Sequence, residues 1–210
     1  MGLREIYDVV VTGDAVAAEK LVREALAEGV SPEQIIAESL VAAMGEVGER
    51  FERAEFFVPE MLTASRAMEA GLGVLRPLLR GAELRSAGRV VIGTVRGDVH
   101  DLGKNLVCTM LTGAGFEVED LGADVASERF VEVVRRGGTD IVAMSALMTT
   151  TMPAMERTVE ALVAAGLRGG VKVLVGGAPL SQEYSEEIGA DGYAADASSA
   201  VRRAKELLEM

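Results

Sequence analysis

The chain holds one histidine, and the residues around it determine what that imidazole can do. The segment reads Gly93-Thr-Val-Arg-Gly97-Asp98-Val99-His100-Asp101-Leu102-Gly103-Lys104-Asn105. Asp98, two residues before His100, can accept one ring N–H and leave the other nitrogen for a metal. The flanking glycines let the backbone approach a ligand closely. A phosphate-binding loop is the nearest rival, and it requires G-x-x-x-x-G-K followed by Ser or Thr to hold magnesium. Here five residues separate Gly97 from Gly103, and Asn105 follows Lys104, so both spacing and chemistry fail. A zinc site built by the protein alone is also weak, because His100, Asp98 and Asp101 offer too few nitrogen or sulfur ligands. A lone imidazole suffices where a macrocycle already supplies the equatorial nitrogens.

The elements around this loop must position it. From Gly88 onward, short β-branched runs alternate with amphipathic helices. Strands are predicted at Arg89–Val95, Phe116–Leu121, Asp140–Ser145, Val171–Val175 and Gly192–Ala194, with helices near 104–114, 127–137, 152–165, 181–188 and 197–209. The first run, RVVIGTV, is apolar on both faces, as a covered parallel strand must be. The alternation predicts an α/β domain over 86–210, a doubly wound flavodoxin-like sheet of five parallel strands. Such sheets bind ligands beyond the carboxyl ends of their strands, and His100 follows the first of these.

Before a seam at 80–88 the apolar period is helical, and a four-helix bundle cap is predicted over 1–85. Thr12-Gly13-Asp14 ends one helix and caps the next, and Gly29 ends the second. Ser31-Pro32-Glu33-Gln34 starts a third that runs to about Phe51, with Gln34 placed to close a capping box. A fourth runs from near Val58 to about Leu79.

Composition narrows the function. Lys and Arg number 21 against 33 Asp and Glu, a net charge of −12, which opposes a nucleic-acid surface that must neutralise phosphates. Aromatics are 4% with no Trp, so stacking platforms are missing and the core must be aliphatic. At least two of Met144, Met148, Met152 and Met155 are expected to fill the core around the third strand. The single cysteine, Cys108, precludes an internal disulfide and reads as a small buried hydrophobe. No secretory signal is evident, and no apolar run approaches the roughly 20 residues that span a bilayer. The chain reads as cytoplasmic, without membrane or nucleic-acid partners.

Asp98-Val-His100-Asp-Leu-Gly103 fits the Asp-x-His-x-x-Gly signature of cobalamin-binding domains. Ser145-Ala-Leu147 after the third strand and Gly176-Gly177 after the fourth fit two further landmarks in order. With its helical cap, the chain resembles the corrinoid proteins of cobalamin-dependent methyltransferase systems over nearly its whole length. Those systems serve methanol, methylamines or methoxylated aromatics, and the cobalamin-binding module of methionine synthase is similar. The resemblance implies cobalamin or a related corrinoid bound base-off and His-on, with His100 the lower axial ligand to cobalt in place of dimethylbenzimidazole. Asp98 would hold the distal nitrogen of His100 and Thr151 would extend that chain. Gly97, Val99, Asp101, Leu102 and Gly103 would complete the binding loop. The displaced nucleotide tail would enter a slot lined by Gly93, Ser145, Leu147, Thr149, Gly176 and Gly177. In the cap, Phe57 with Met61 or Met68 would shield the upper cobalt face, while Phe51 belongs to the bundle core. The 80–88 linker would let the cap swing away.

By the same resemblance the chain is a methyl carrier rather than an enzyme in itself. It would shuttle a methyl group on cobalt between a substrate-specific methyltransferase and a second methyltransferase acting on coenzyme M or tetrahydrofolate. Methylation and demethylation would make and break the bond from His100 to cobalt, with the Asp98 network taking up or releasing a proton. A reductive activator is a further implied partner, and homo-oligomerisation is left open. Two other classes share the cobalt motif. An adenosylcobalamin mutase small subunit would need a substrate barrel, absent here. A cobalamin-dependent sensor usually adds a basic DNA-binding module, for which there is neither room nor charge.

Overall fold

Capping residues set where the first helices begin and end. Helix α1, Leu3–Thr12, stops at Gly13, which adopts the left-handed φ of 80° that a helix C-cap favours. The Asp14 side chain accepts from the Ala17 amide to start α2, Ala15–Ala27. Ser31 accepts from Gln34 N–H at 3.2 Å to start α3, Pro32–Ile35. The expected reciprocal bond from the Gln34 side chain is not made, so only half a capping box forms.

The computed structural model describes residues 2–78 and 86–209. Two units are distinguished, Met1–Ser86 with Gly113–Gly115, and Ala87–Thr112 with Phe116–Met210. Most of the predicted seam at 80–88, and the end of the fourth helix at Leu79, lie outside the described residues.

In the first unit the third helix is not regular. After α3 the chain makes a π-helical segment, Ile36–Val41, before α4, Ala42–Glu52. The buried Ser39 hydroxyl bonds back to the Ile35 carbonyl within that wider turn. Helix α5, Val58–Leu75, packs on α2 through small residues. A Cβ on Gly71 would lie 3.1 Å from Leu40 and 3.3 Å from Val22, so the absent side chain lets these elements close. Ile6, Val10, Val22, Ile35, Leu40 and Leu75 form the aliphatic core. Phe51, expected there too, is only half-buried.

In the second unit five strands alternate with helices: β1 Arg89–Thr94, α6 Leu102–Gly113, β2 Glu117–Asp120, α7 Ser127–Arg135, β3 Ile141–Ser145, α8 Pro153–Ala164, β4 Lys172–Gly176, α9 Gln182–Glu187, β5 Gly192–Ala194 and α10 Ala197–Leu207. The sheet order is β2-β1-β3-β4-β5, and every pairing is parallel. From β1 the strand order runs one way to β2 and the other way to β3, which makes the carboxyl ends of β1 and β3 the switch point. Register aligns Thr94 with Ser145, and Ser145 with Gly176, so three strand ends finish level. Val95, predicted as the last residue of the first strand, lies beyond the ladder and bridges Val125 instead. One face of the sheet buries Val91, Val142, Met144 and Val173 against Phe130 and Met155. Met144 and Met155 thus fill the core at the third strand, whereas Met148 and Met152 remain partly exposed. No described helix is long and apolar enough to cross a membrane.

Candidate cofactor site

At the end of β1 the backbone turns at Gly97, whose φ of 86° lies in the left-handed region that suits glycine. The turn drives the Asp98 side chain inward, where it is fully buried. Its Oδ1 accepts the His100 backbone amide at 3.0 Å and lies 2.8 Å from His100 Nδ1. Its Oδ2 accepts the Leu147 amide at 2.8 Å and the Thr151 hydroxyl at 2.8 Å, with the Met148 amide at 3.4 Å. Asp98 therefore joins the β1–α6 loop to the β3–α8 loop across the switch point.

Burial by itself would raise the Asp98 pKa. The donated bonds from the His100 and Leu147 amides, the Thr151 hydroxyl and the His100 ring outweigh it, and hold the carboxyl well below the usual range. An ionised Asp98 has no proton to give, so His100 Nδ1 must carry the hydrogen between them. In the neutral ring the lone pair then lies on Nε2, which has no hydrogen-bond partner among the described residues. The His100 side chain is 48% exposed, in contrast to the buried carboxylate that orients it.

The surroundings of His100 are apolar and open. Val99 is 72% exposed, Leu102 86% and Leu147 46%. Among the described residues nothing lies within 4 Å of the place a Cβ on Gly103 would occupy, so no contact with them explains the missing side chain. Thr94 Oγ1 donates to the His100 carbonyl at 3.2 Å and steadies the loop from beneath. Asp101 is half-buried, and its carbonyl accepts the Asn105 amide at 2.8 Å as α6 begins. Among the described residues no group of three or more His, Cys, Asp or Glu side chains is arranged to hold a metal ion.

The residues expected to line a tail slot lie at neighbouring strand ends, with Ser145 half-buried and Leu147 and Thr149 exposed. The glycines among them are required by the protein's own packing. A Cβ on Gly93 would lie 2.9 Å from the Phe130 ring, and one on Gly176 would lie 2.9 Å from the Ala194 carbonyl. One on Gly177 would overlap the Ala146 carbonyl. Phe57 and Met61 belong to the helical unit, where Phe57 is exposed and Met61 is fully buried.

A buried lysine pairs with an exposed aspartate to which no local sequence pattern links it. Lys104 Nζ lies 2.5 Å from Asp120 Oδ2 and 2.6 Å from Asn105 Oδ1, with the lysine side chain only 1% exposed. It ties the first turn of α6 to the end of β2. In the sequence Gly103-Lys104 invites comparison only with a phosphate loop, and the 16-residue separation from Asp120 gives no local signal.

Residues 88–202 match the family model described as B12 binding domain, and residues 3–76 match a second model of the same description. Dimethylamine corrinoid protein 1 of Methanosarcina acetivorans is 46% identical over 207 residues, covering 98% of this chain and 97% of that protein. The chain belongs to the B12-binding corrinoid protein family. Trimethylamine corrinoid protein 1 of Methanosarcina mazei is 44% identical over 203 residues, covering 96% of this chain and 94% of the relative. One chain of the methanol:cobalamin methyltransferase complex of Methanosarcina barkeri superposes with a TM-score of 0.90 at 27% identity, over 99% of this chain and 79% of that chain.

A corrinoid brings its own equatorial nitrogens, so a corrinoid protein need add only an axial donor and an apolar seat. The residues present fit that demand. His100 offers a fixed lone pair, Val99, Leu102 and Leu147 offer exposed apolar surface beside it, and Gly103 leaves open space.

Proposed function

We propose that this corrinoid protein carries a methyl group between two methyltransferases, with His100 Nε2 as the lower axial ligand in a base-off, His-on complex. The observation that carries the reading is the orientation of His100 by the buried Asp98, which engages Nδ1 and leaves Nε2 free beside an exposed apolar surface. When bound, the corrinoid supplies a cobalt centre that accepts a methyl group and gives it up. The chain's own work is to orient and tune. Asp98 Oδ1 holds the proton on Nδ1, Thr151 and the Leu147 amide hold Asp98, and Val99, Leu102 and Leu147 keep water from the face they cover. The glycine-bearing strand ends at Gly93, Gly176 and Gly177, with Ser145 and Thr149, take the displaced nucleotide tail. Phe57, exposed on the helical unit, would shield the bound methyl group, whereas Met61 is buried and packs within the protein.

Relatives named for dimethylamine and trimethylamine make a methylated amine the first donor to try. The acceptor methyltransferase acts on coenzyme M or tetrahydrofolate, a separate reductive activator restores oxidised cobalt, and the chain is not catalytic without these partners. All of these act in the cytoplasm. The test is the visible spectrum after incubation with hydroxocobalamin and desalting, wild type beside His100→Ala. Wild type is expected to retain stoichiometric corrinoid with the dimethylbenzimidazole displaced, and the variant to lose that ligation. A colourless wild type, or identical spectra from both proteins, overturns the axial assignment.

A further inference from the structure

The Asp98 side chain holds His100, but its backbone is held from the other side of β1 by Asp124, in the loop between β2 and α7. Asp124 Oδ1 accepts the Gly97 amide at 2.7 Å. The Asp124 amide donates to the Asp98 carbonyl at 2.9 Å. Gly97 and Asp98 are consecutive, so one residue grips this dipeptide at both its ends. The grip requires an unusual backbone, with Asp124 at a φ of 54° in the left-handed region. Among residues with a side chain, Asp and Asn tolerate that region best. Arg96 Nε lies 3.4 Å from the same Oδ1 and helps fix the carboxylate. The next residue, Val125, donates its amide to the Thr94 carbonyl at 2.9 Å, so the whole segment is laced to the end of β1.

The consequence reaches the imidazole through geometry. The partners of the Asp98 carboxylate in the β3–α8 loop include backbone amides at fixed positions. A shift of the Asp98 backbone cannot be absorbed without lengthening bonds to Leu147 or to His100. We propose that Asp124 is a positioning residue for the axial imidazole: it fixes the Gly97-Asp98 backbone so that Asp98 can in turn fix His100. The proposal rests on the reading of His100 as a cobalt ligand.

Three full-length variants separate the side-chain bond from the backbone shape. Asp124→Asn keeps an acceptor oxygen and tolerates the left-handed backbone. Asp124→Gly keeps the backbone and removes the acceptor. Asp124→Ala loses both. Each protein, labelled with 15N-histidine, is loaded with cob(II)alamin, and the superhyperfine pattern of its electron paramagnetic resonance spectrum reports the fraction ligated by labelled nitrogen. Hydroxocobalamin affinity and exchange of the Gly97 amide in the cofactor-free protein are measured alongside, with circular dichroism verifying the fold. Asp124→Asn is expected to match wild type. Asp124→Gly is expected to expose the Gly97 amide to exchange, lower the His-ligated fraction and weaken affinity about tenfold, at the lower end for groups that orient a metal ligand. Asp124→Ala is expected to lose more; should it fail to fold, Asp124→Gly decides. A ligated wild type with an unchanged Asp124→Gly overturns the proposal alone, as does Asp124→Asn falling as far as Asp124→Gly. A wild type without the labelled-histidine pattern overturns the axial reading, and the proposal with it.

Discussion

Asp98→Asn tests the network at its centre, because asparagine offers one oxygen where aspartate offers two. Oδ1 faces the His100 amide at 3.0 Å and the His100 ring at 2.8 Å, while Oδ2 faces the Leu147 amide and the Thr151 hydroxyl, each at 2.8 Å. Two of these four partners can adapt. Thr151 can turn its proton to the Met148 carbonyl, 2.8 Å away, and the His100 ring can change tautomer. The backbone amides cannot reverse. Whichever way the new side chain turns, its NH2 group meets one backbone N–H head on, and the remaining bonds lose their ionic character. A buried donor left unpaired costs about 1–3 kcal/mol, and a hydrogen bond to a charged group is worth about 1.5–3 kcal/mol, so the expected loss is roughly 2–4 kcal/mol. Urea unfolding of the cofactor-free proteins measures it, with an unchanged m-value licensing the comparison. Turning the NH2 group toward His100, the more open side, would also place the ring hydrogen on Nε2, the nitrogen meant to ligate. A loss below about 0.5 kcal/mol, the level of an ordinary surface change, would refute the claim that both oxygens are engaged.

The pair of buried Lys104 with exposed Asp120 is expected to respond unequally: Asp120→Ala leaves the Lys104 ammonium only the Asn105 oxygen and costs about 1–3 kcal/mol, whereas Lys104→Met replaces the charge with an apolar chain and costs less. Equal losses in denaturant unfolding would contradict that asymmetry. Burial first, and the Asp120 carboxylate second, push the Cys108 thiol up to about 11 despite the opposing Lys104 charge. The folded state therefore holds this proton more tightly than the unfolded state, and the contribution to stability present below the ordinary thiol range is lost as pH rises through about 11. Alkylation of the native protein at pH 8 should be about a hundredfold slower than that of an unperturbed thiol and keep rising to pH 11; a rate that levels off near pH 9 would refute it. Gly177→Ala forces a Cβ into the Ala146 carbonyl at a φ of 139°, and is expected to cost about 3 kcal/mol or more by thermal unfolding. A variant as stable as wild type would show that the strand ends can move apart.

The sheet was legible because β1, β3 and β4 are short β-branched runs with no polar face, and such runs separated by helices have few alternatives. The pairing of Asp98 with His100 was legible for a local reason, their spacing of two residues. Thr151 lies 53 residues from Asp98, and nothing in a local pattern joins them. It was reached through the family resemblance, and the topology that sets β3 beside β1 supplies the physical reason. Asp124 and the Lys104–Asp120 pair leave no local signal, because Asp124 acts across the gap between two loops and Lys104 meets Asp120 only through the pairing of a helix start with a strand end 16 residues on. The glycines show the opposite difficulty. Gly93, Gly176 and Gly177 were read as room for a ligand, yet Phe130, Ala194 and Ala146 already press on them. In the helical unit the π segment was invisible, since an extra residue in one turn alters no apolar period long enough to notice.

Val99 and Leu102 stand mostly in water, next to a residue, Asp98, that has no exposed surface at all. The two kinds of position differ in what a substitution costs. Changing Asp98 or Thr151 breaks bonds that the fold itself uses, whatever the ligand. Changing Val99 or Leu102 removes contacts the folded protein hardly makes, so a randomised library at these two sites would pass any screen for solubility and still differ in what it binds. Evolvability in this loop is thus concentrated in a few side chains around an imidazole whose own setting cannot vary.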